Sequence, residues 1–575
     1  MSLFSNLYVG NSGLTTSQNA LNTTAHNMSN VGTKGYTRQQ ITQGTMNYVT
    51  IKNQPNMNAP QQTGLGTLYN NTKQVREMFL DKSFRLESGR ESFYEVSYNT
   101  IEEAEDLLQE MNGQEFAEAI NNLWVAAQEL SKAPTEATTQ ATFVNRCNEF
   151  ISRSQGVYKG FTEYQDRMDE SIKGMVDTIN ALGDELFELN RQVSMIECGG
   201  VEHANDLRDR RNQILDELAT YGNISYEEDA QRNVIVSFEN TSFVCLDMVN
   251  HIGLDTDASP DGFYTPYWEF AAKDVSVLVP GTGGATGVPA QYEMQKDITG
   301  ARIVNLSLPV SSDMNTDVGK LRATLLARGD HHATYHDLSD DATGTYYNQG
   351  YNENGKVQPG AVSVANSVIM NLEAEFDQLF NTVVTAINDV MRNALSNPAT
   401  VSGEGSTEDY VMFQMSFPTA ALNYDIDADH KAGKNLMGLS ITNTEVNSRL
   451  LQDPTTFNFR TVTGDQDEAA MRDLKAAFTT SKYTINPNVV ATTSINGYYN
   501  AYVTQISTSG SVYKGIRDFQ EQTVDGLDQA REQVTGVNQD EELQYMIQFQ
   551  NAFNASSRYI NVVNELLNHL LTSLA

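Results

Sequence analysis

Cysteine is scarce: Cys147, Cys198 and Cys245 are the 3 in a chain of 575 residues. They are odd in number and far apart, with no C-x-x-C, so neither a disulfide framework nor a zinc site is expected from them. Positive charge is also in short supply. Lys and Arg total 38 against 73 Asp and Glu, a formal charge of −35. Such an acidic surface repels nucleic acid and anionic lipid, so no nucleic-acid partner and no membrane partner is expected. No stretch approaches the ~20 apolar residues of a membrane span. The opening MSLFSNLYVG has neither a basic n-region nor an apolar h-region, so a secretory signal peptide is not expected there. These absences by themselves suggest a cytoplasmic location.

What the chain does have is long helical periodicity, most telling at its ends. From Gly536 onward, Asn538 is a good N-cap, Glu541 stands three residues later as in a capping box, and no Pro or Gly interrupts the remaining residues to the C-terminus. The seam of this helix runs Leu543, Met546, Gln550, Phe553, Ser557, Ile560, Asn564, Leu567, Leu571, Leu574, in steps of three and four. Residues 2–30 offer a second helix in which Leu7, Leu14, Leu21 and Met28 recur every seven residues, with Phe4, Asn11, Gln18 and Ala25 as companions. Both seams mix apolar residues with amides, which fixes register and partner choice at some cost in stability. Periodicity alone leaves open whether the two ends close on each other within one chain or are completed by other copies. Because half-polar isolated helices are marginal in water, the ends are expected to fold on assembly. Leu7, Leu14, Leu21, Met28, Leu543, Phe553, Ile560 and Leu567 are the expected assembly contacts.

Between the ends, residues 41–75 read as an irregular linker with a short strand pair. Helices are expected from about 75 to Asn112-Gly113, from Phe116 to before Pro134, and over about 138–197. The last carries Met168, Ile172, Met175, Ile179, Leu182, Leu186, Leu189, Val193 and Ile196, an apolar heptad run that marks a permanent coiled-coil or bundle helix. ANDLRDRRNQILDEL is a shorter helix. NVIVSF and TSFVCLDM read as strands around an Asn break. Helix returns over 319–328 and 362–394, and residues 395–500 are again β-and-loop in character. The fold class expected is mainly α with β-rich insertions: long terminal coiled-coil helices, a helical bundle, a chain that runs out and back, and two outer β-containing domains. The divisions are 1–75 for the N-terminal helix and linker, 76–229 for the bundle, and 230–318 for a first outer domain. Residues 319–394 return to the bundle, 395–500 form a second outer domain, and 501–575 are the C-terminal helices.

Signals for chemistry are weak. GTGGATG at 281–287 lacks the Lys-Ser/Thr of a P-loop and the third Gly of a dinucleotide fingerprint. His331, His332 and His336 in DHHATYHD could approach a zinc site, but no Glu follows the first His, so the general base of H-E-x-x-H is missing. A polar surface cluster is the blander reading, with a metal-dependent hydrolase as the alternative. No cofactor, metal or catalytic residue is expected, and the chain does not read as an enzyme.

Two stretches resemble a known family. Residues 20–39, ALNTTAHNMSNVGTKGYTRQ, are similar to the N-terminal signature of the flagellar rod/hook axial proteins, with Asn30, Gly32, Gly35 and Tyr36 in its turn. Residues 536–571 are similar to their C-terminal signature. The hook-filament junction branch fits best. Thr37-Arg38-Gln39 follows the Gly-Tyr pair where hook proteins more usually read Gly-Tyr-Lys, and ANDLRDRRNQILDEL, GKLRATLLARGD and LEAEFDQLFNTVVTAIND resemble internal signatures of that branch. About half of the chain is covered; the insertions 230–318 and 395–500 are not. One departure is Val31-Gly32-Thr33-Lys34-Gly35, where the family often has Pro before the Gly. The resemblance implies a structural protein of the bacterial flagellum, exported without a cleaved signal peptide, in a layer of identical subunits. It further implies contact with hook protein and hook-associated protein 3, and an export chaperone at the C-terminal helix. A hook or distal rod protein of the same superfamily is the alternative.

Overall fold

The computed structural model describes residues 3–46, 48–52, 61–109, 116–199, 202–259, 261–279, 291–338, 366–393, 411–416, 439–456, 459, 466–481 and 492–574. Helix α1 (Leu3–Ser29) is followed by strands β1 (Gln39–Thr45), β2 (Val49–Lys52), β3 (Gln61–Thr63) and β4 (Thr67–Gln74). Helices α2 (Met78–Gln109), α3 (Phe116–Lys132), α4 (Ala137–Glu197) and α5 (Asn205–Tyr221) come next. Seven strands lie beyond them: β5 (Ile224–Glu228), β6 (Val234–Phe238), β7 (Thr241–Val244), β8 (Ile252–Asp255), β9 (Thr265–Trp268), β10 (Lys273–Val279) and β11 (Gln291–Asp297). Then come α6 (Lys320–Arg328), α7 (Val368–Asn393), β12 (Phe413–Met415), β13 (Thr444–Val446), α8 (Ser448–Gln452), α9 (Glu468–Thr479), α10 (Ile495–Thr535) and α11 (Gln539–Leu574). The chain is mainly α with small antiparallel sheets and long terminal helices, as its periodicity indicates. Contacts divide it into two units, residues 1–89, 178–250 and 520–575, and residues 90–177 and 251–519.

In the first unit, β1 pairs with β4 and β2 with β3, both antiparallel. The linker expected over 41–75 is therefore more ordered than its sequence suggests. Its Gln, Asn and Thr carry no alternation of apolar and polar side chains to announce a half-buried strand. The β5-β6-β7 meander turns at Glu239 and Asn240, both at positive φ, where the Asn break stands in the sequence. Phe238 and Phe243 of this meander are buried with Ile179, Leu182, Leu186, Leu189 and Val193 of α4 and Ile214, Leu215 and Leu218 of α5. At Gly183 the packing is tight: a Cβ there would lie 2.4 Å from the Phe243 ring.

The second unit is a helical bundle with an aromatic centre. Phe376 of α7 lies 4.9 Å from Phe116, 6.2 Å from Phe161 and 6.2 Å from Tyr502, measured between ring centroids. The polar residues of α7 stake loops to this core. Asn381 Nδ2 donates to Leu439 O at 2.8 Å, and Asn388 exchanges two bonds with the backbone of Phe413. Asp377 accepts from the amides of Tyr335 and Ile441. In α6, Arg328 is buried against Asp169, and Arg322 donates to Asn305 O at 3.1 Å. The charged residues of GKLRATLLARGD and LEAEFDQLFNTVVTAIND thus hold the fold together.

Within 395–500, the described residues form two short strands but also α8 and α9, and Met471, Leu474 and Phe478 of α9 belong to the bundle core. The Gly-rich run 281–287, the Asn112-Gly113 helix stop and other stretches of 395–500 lie outside the described residues.

Candidate assembly interface

The two terminal helices pair within the single chain. A Cβ at Gly10 would lie 2.8 Å from Ile560 Cγ1, and one at Gly13 would lie 2.8 Å from Ser556 Oγ. Later residues of α1 meet earlier residues of α11, so the pair is antiparallel. Of the two arrangements that periodicity left open, this structure shows the one in which the ends lie on each other within one chain.

The expected seam residues sit as follows within this pair. Leu7, Leu14, Leu21 and Met28 are half-buried, as are Met546, Phe553, Ile560 and Leu567. Their companions are shifted by one residue on both helices. Asn11, Gln18 and Ala25 are exposed, while Gly10, Ser17 and Thr24 are buried. Likewise Gln550 and Asn564 are exposed, while Phe549 is half-buried and Val563 is buried; only Ser557 is half-buried together with its neighbour Ser556. The side chain of Phe4 lies outside the described residues. Gly10, Gly13, Ser17, Ala20 and Thr24 form a stripe of small side chains that lets the two backbones approach closely. Such residues carry no hydrophobic signal, so periodicity alone does not find them.

A second apolar stripe on α11 is left open. Val562, Leu566 and Leu570 recur in steps of four and are 53%, 52% and 47% exposed. Leu543, Ile547 and Leu571 are exposed as well. Charge is nearly absent from this module. α1 holds no Asp, Glu, Lys or Arg, and residues 543–574 hold only Arg558 and Glu565.

The signature turn ties this pair to α5. Asn27, buried at the end of α1, accepts from Tyr36 Oη at 2.8 Å and from the Gln39 amide at 3.0 Å, and donates to Gln39 O at 2.9 Å. Asn30 donates through Nδ2 to His26 O and closes the turn by accepting from Thr33. Gly32 has open space around it, so nothing in its surroundings demands glycine. Gly35 does require it: its φ is +80°, and a Cβ would lie 2.0 Å from Gln213 Nε2. Thr37 donates its amide to Asp209 of α5 at 3.1 Å. Burial pushes the Asp209 carboxyl up to about 6, against the hydrogen bonds from Thr37 that favour its charged form. Burial likewise raises the Tyr36 phenol, helped by the negative charge of Asp209 and Asp206, so it stays a neutral donor. Asn27 and Asp209 do not stand out in the sequence by themselves, although both lie inside stretches that resemble family signatures.

At the start of α11, Asn538 caps the helix as expected, accepting from the Asp540 amide at 3.0 Å. Glu541 does not close a capping box. It lies 3.2 Å from Arg38 Nη1, and buried Glu542 accepts from Arg38 Nε at 2.9 Å.

The histidine cluster is not built as a metal site. Among the described residues no group of three His, Cys, Asp or Glu side chains is placed to hold a metal ion. His331 Nδ1 lies 2.7 Å from Asp330 Oδ1 and its Nε2 lies 3.2 Å from Asp337 Oδ1, so both nitrogens donate and neither lone pair is open to a cation. His332 Nδ1 meets Gln165 Oε1 at 2.5 Å, and the side chain of His336 lies outside the described residues. Elemental analysis of purified protein is expected to find no stoichiometric zinc.

Burial opposes the charge on His331, but the hydrogen bonds to Asp330 and Asp337 outweigh it and hold its pKa up to about 10, from 6.5. A raised folded-state pKa means stability that is fully present below about 6.5 and lost as pH climbs through about 10. In urea unfolding, His331→Gln should therefore destabilise most near neutral pH and least at the alkaline end. An equal cost at both would contradict the ion-pair reading.

Comparison with known proteins agrees with this architecture. A sequence family described as "Flagellar hook-associated protein FlgK helical domain" matches residues 101–292. Flagellar hook-associated protein 1 of Bacillus subtilis (strain 168) is 23% identical over 581 residues, covering 100% of this chain and 99% of that protein. The protein of the same name from Salmonella typhimurium is 20% identical over 590 residues, covering 97% and 98%. The solved structure of the flagellar hook junction protein FlgK from Burkholderia pseudomallei superposes with a TM-score of 0.50 at 11% identity, covering 79% of this chain and 100% of that one, a likeness of fold.

Proposed function

We infer that the chain belongs to the flagellar hook-associated protein 1 family and is a structural protein of the bacterial flagellum, forming the junction between hook and filament. Nothing favours the hydrolase alternative, since both nitrogens of His331 are already bonded to carboxylates.

The reading extends to partners. Copies of this chain form a layer on the hook, in contact with hook protein, and hook-associated protein 3 adds above them. The observation that supports this most is the open stripe Val562, Leu566 and Leu570 on a helix whose other apolar face is already covered by α1. Exposed apolar surface of this kind marks an interaction site. Charge supports it too. Copies that each carry −35 repel one another, and they meet at least cost where charge is missing, along α1 and residues 543–574. The open stripe on α11 is also the face an export chaperone would cover before assembly, on a chain secreted without a cleaved signal peptide.

The experiment is antibody labelling of intact flagella. A junction protein marks one point where hook meets filament. Labelling along the whole curved hook would replace this reading with the hook-protein alternative, and labelling at the cell-proximal end with a distal rod protein.

A further inference from the structure

We propose that Arg38, with Glu541 and Glu542, sets the register in which α11 lies on α1, and thereby where the open stripe of α11 is presented. The inference concerns the single chain and goes beyond its place in the flagellum.

The helix pair has a register problem. Leu7, Leu14, Leu21 and Met28 on one side and Met546, Phe553, Ile560 and Leu567 on the other are near-identical heptad repeats. Sliding one helix along the other by seven residues, about 10.5 Å at the α-helical rise, lays apolar on apolar again. Hydrophobic burial is non-directional and discriminates poorly between such states, so register is set by features that do not repeat. The close fit of Gly10 on Ile560 is one of these.

Arg38 is the other, and it is anchored on both sides. Its carbonyl accepts from the Val75 amide at 3.0 Å and its amide donates to Thr535 O at 2.8 Å. Its neighbour Gln39 is bonded to Asn27 of α1. From this fixed place its guanidinium reaches Glu541 and Glu542 in the first turn of α11 and lies over Tyr545 at 5.7 Å. Because α11 follows α10 after a short link, it can slide toward Arg38 only if its first two turns unwind. The ion pairs hold the turn that would have to unwind. In the slipped state Val563 replaces Ser556 opposite Gly13. Arg38 is thus a positioning residue for α11.

The test is cysteine cross-linking in the full-length monomer, with Cys147→Ala, Cys198→Ser and Cys245→Ser as background. A Cβ at Gly13 would lie 3.7 Å from Ser556 Cβ, inside the disulfide window. Brief oxidation of Gly13→Cys with Ser556→Cys therefore reports the native register, and Gly13→Cys with Val563→Cys reports the slipped one. Arg38→Glu is expected to raise the slipped product roughly tenfold over the same pair with Arg38 intact, at the expense of the native one. Arg38→Lys, which keeps the charge, should stay near the native pattern. Slipped product that is unchanged by Arg38→Glu would overturn the proposal. So would loss of both products, because Arg38 would then hold the helices together without choosing their register. Neither result bears on where the protein sits in the flagellum, since the experiment never leaves the monomer.

Discussion

Val562→Asp combined with Leu566→Asp is expected to leave the isolated chain folded and to abolish its incorporation into the flagellum, with motility lost. Both side chains are about half exposed and lie off the face that α11 turns to α1. Surface substitutions of this kind usually change stability by no more than about 0.5 kcal/mol. In the assembly the same positions would be covered by a neighbour. Burying an unpaired carboxylate costs several kcal/mol, and every copy in the layer meets that cost. Circular dichroism and thermal unfolding of the monomer check the first half of the expectation, and swimming with antibody labelling checks the second. Leu567→Asp is the instructive contrast. It lies one position further on, half-buried against α1, and should damage the hairpin as well as the assembly. A normal filament on the double variant would show that the open stripe is not an assembly contact.

Much of this architecture is legible because long apolar heptads leave little choice. The run from Met168 to Val193 places a helix with the right inward face, and the structure buries Ile172, Ile179, Leu186 and Val193 accordingly. The run loosens at Met175, which is half-buried beside buried Val176, and fails at its last member. Ile196 is exposed, and Glu197 is buried instead, where it pairs with Arg208 at 2.7 Å. An ion pair between residues eleven apart in sequence leaves no periodic trace. The termini are legible as helices but not in detail. A column with seven-residue spacing accepts a companion column either three or four residues on, because the helix repeat of 3.6 lies between the two. Apolar content should decide between them. In α1, however, the buried companions are Gly10, Ser17 and Thr24, which look no more hydrophobic than the exposed amides beside them. Close approach of backbones, not side-chain burial, is what these positions supply. The signature turn is legible only as a resemblance. Its reason is physical and lies far away in sequence: Gly35 must clear Gln213, and Thr37 must reach Asp209.

Asn27→Ala should be among the most damaging single changes to the terminal module. One side chain closes three bonds there, accepting from the Tyr36 hydroxyl and the Gln39 amide and donating to the Gln39 carbonyl. Alanine leaves all three groups without this partner in a half-buried place. A buried group left unsatisfied costs about 1–3 kcal/mol. Water entering the space returns part of this, so a net loss of about 3 kcal/mol is expected. That is a large share of the ~5–15 kcal/mol that holds a typical domain folded. Two further variants bracket the loss. Tyr36→Phe removes one donor together with its demand for an acceptor, and should cost only about 1 kcal/mol. Asn27→Asp keeps both accepted bonds but sets a carboxylate oxygen against the Gln39 carbonyl at this buried position, so it should cost at least as much as Asn27→Ala. Urea unfolding gives the order, and limited proteolysis gives its location, with the chain ends of Asn27→Ala trimmed first. If Asn27→Ala costs no more than Tyr36→Phe, the hub does not hold the turn.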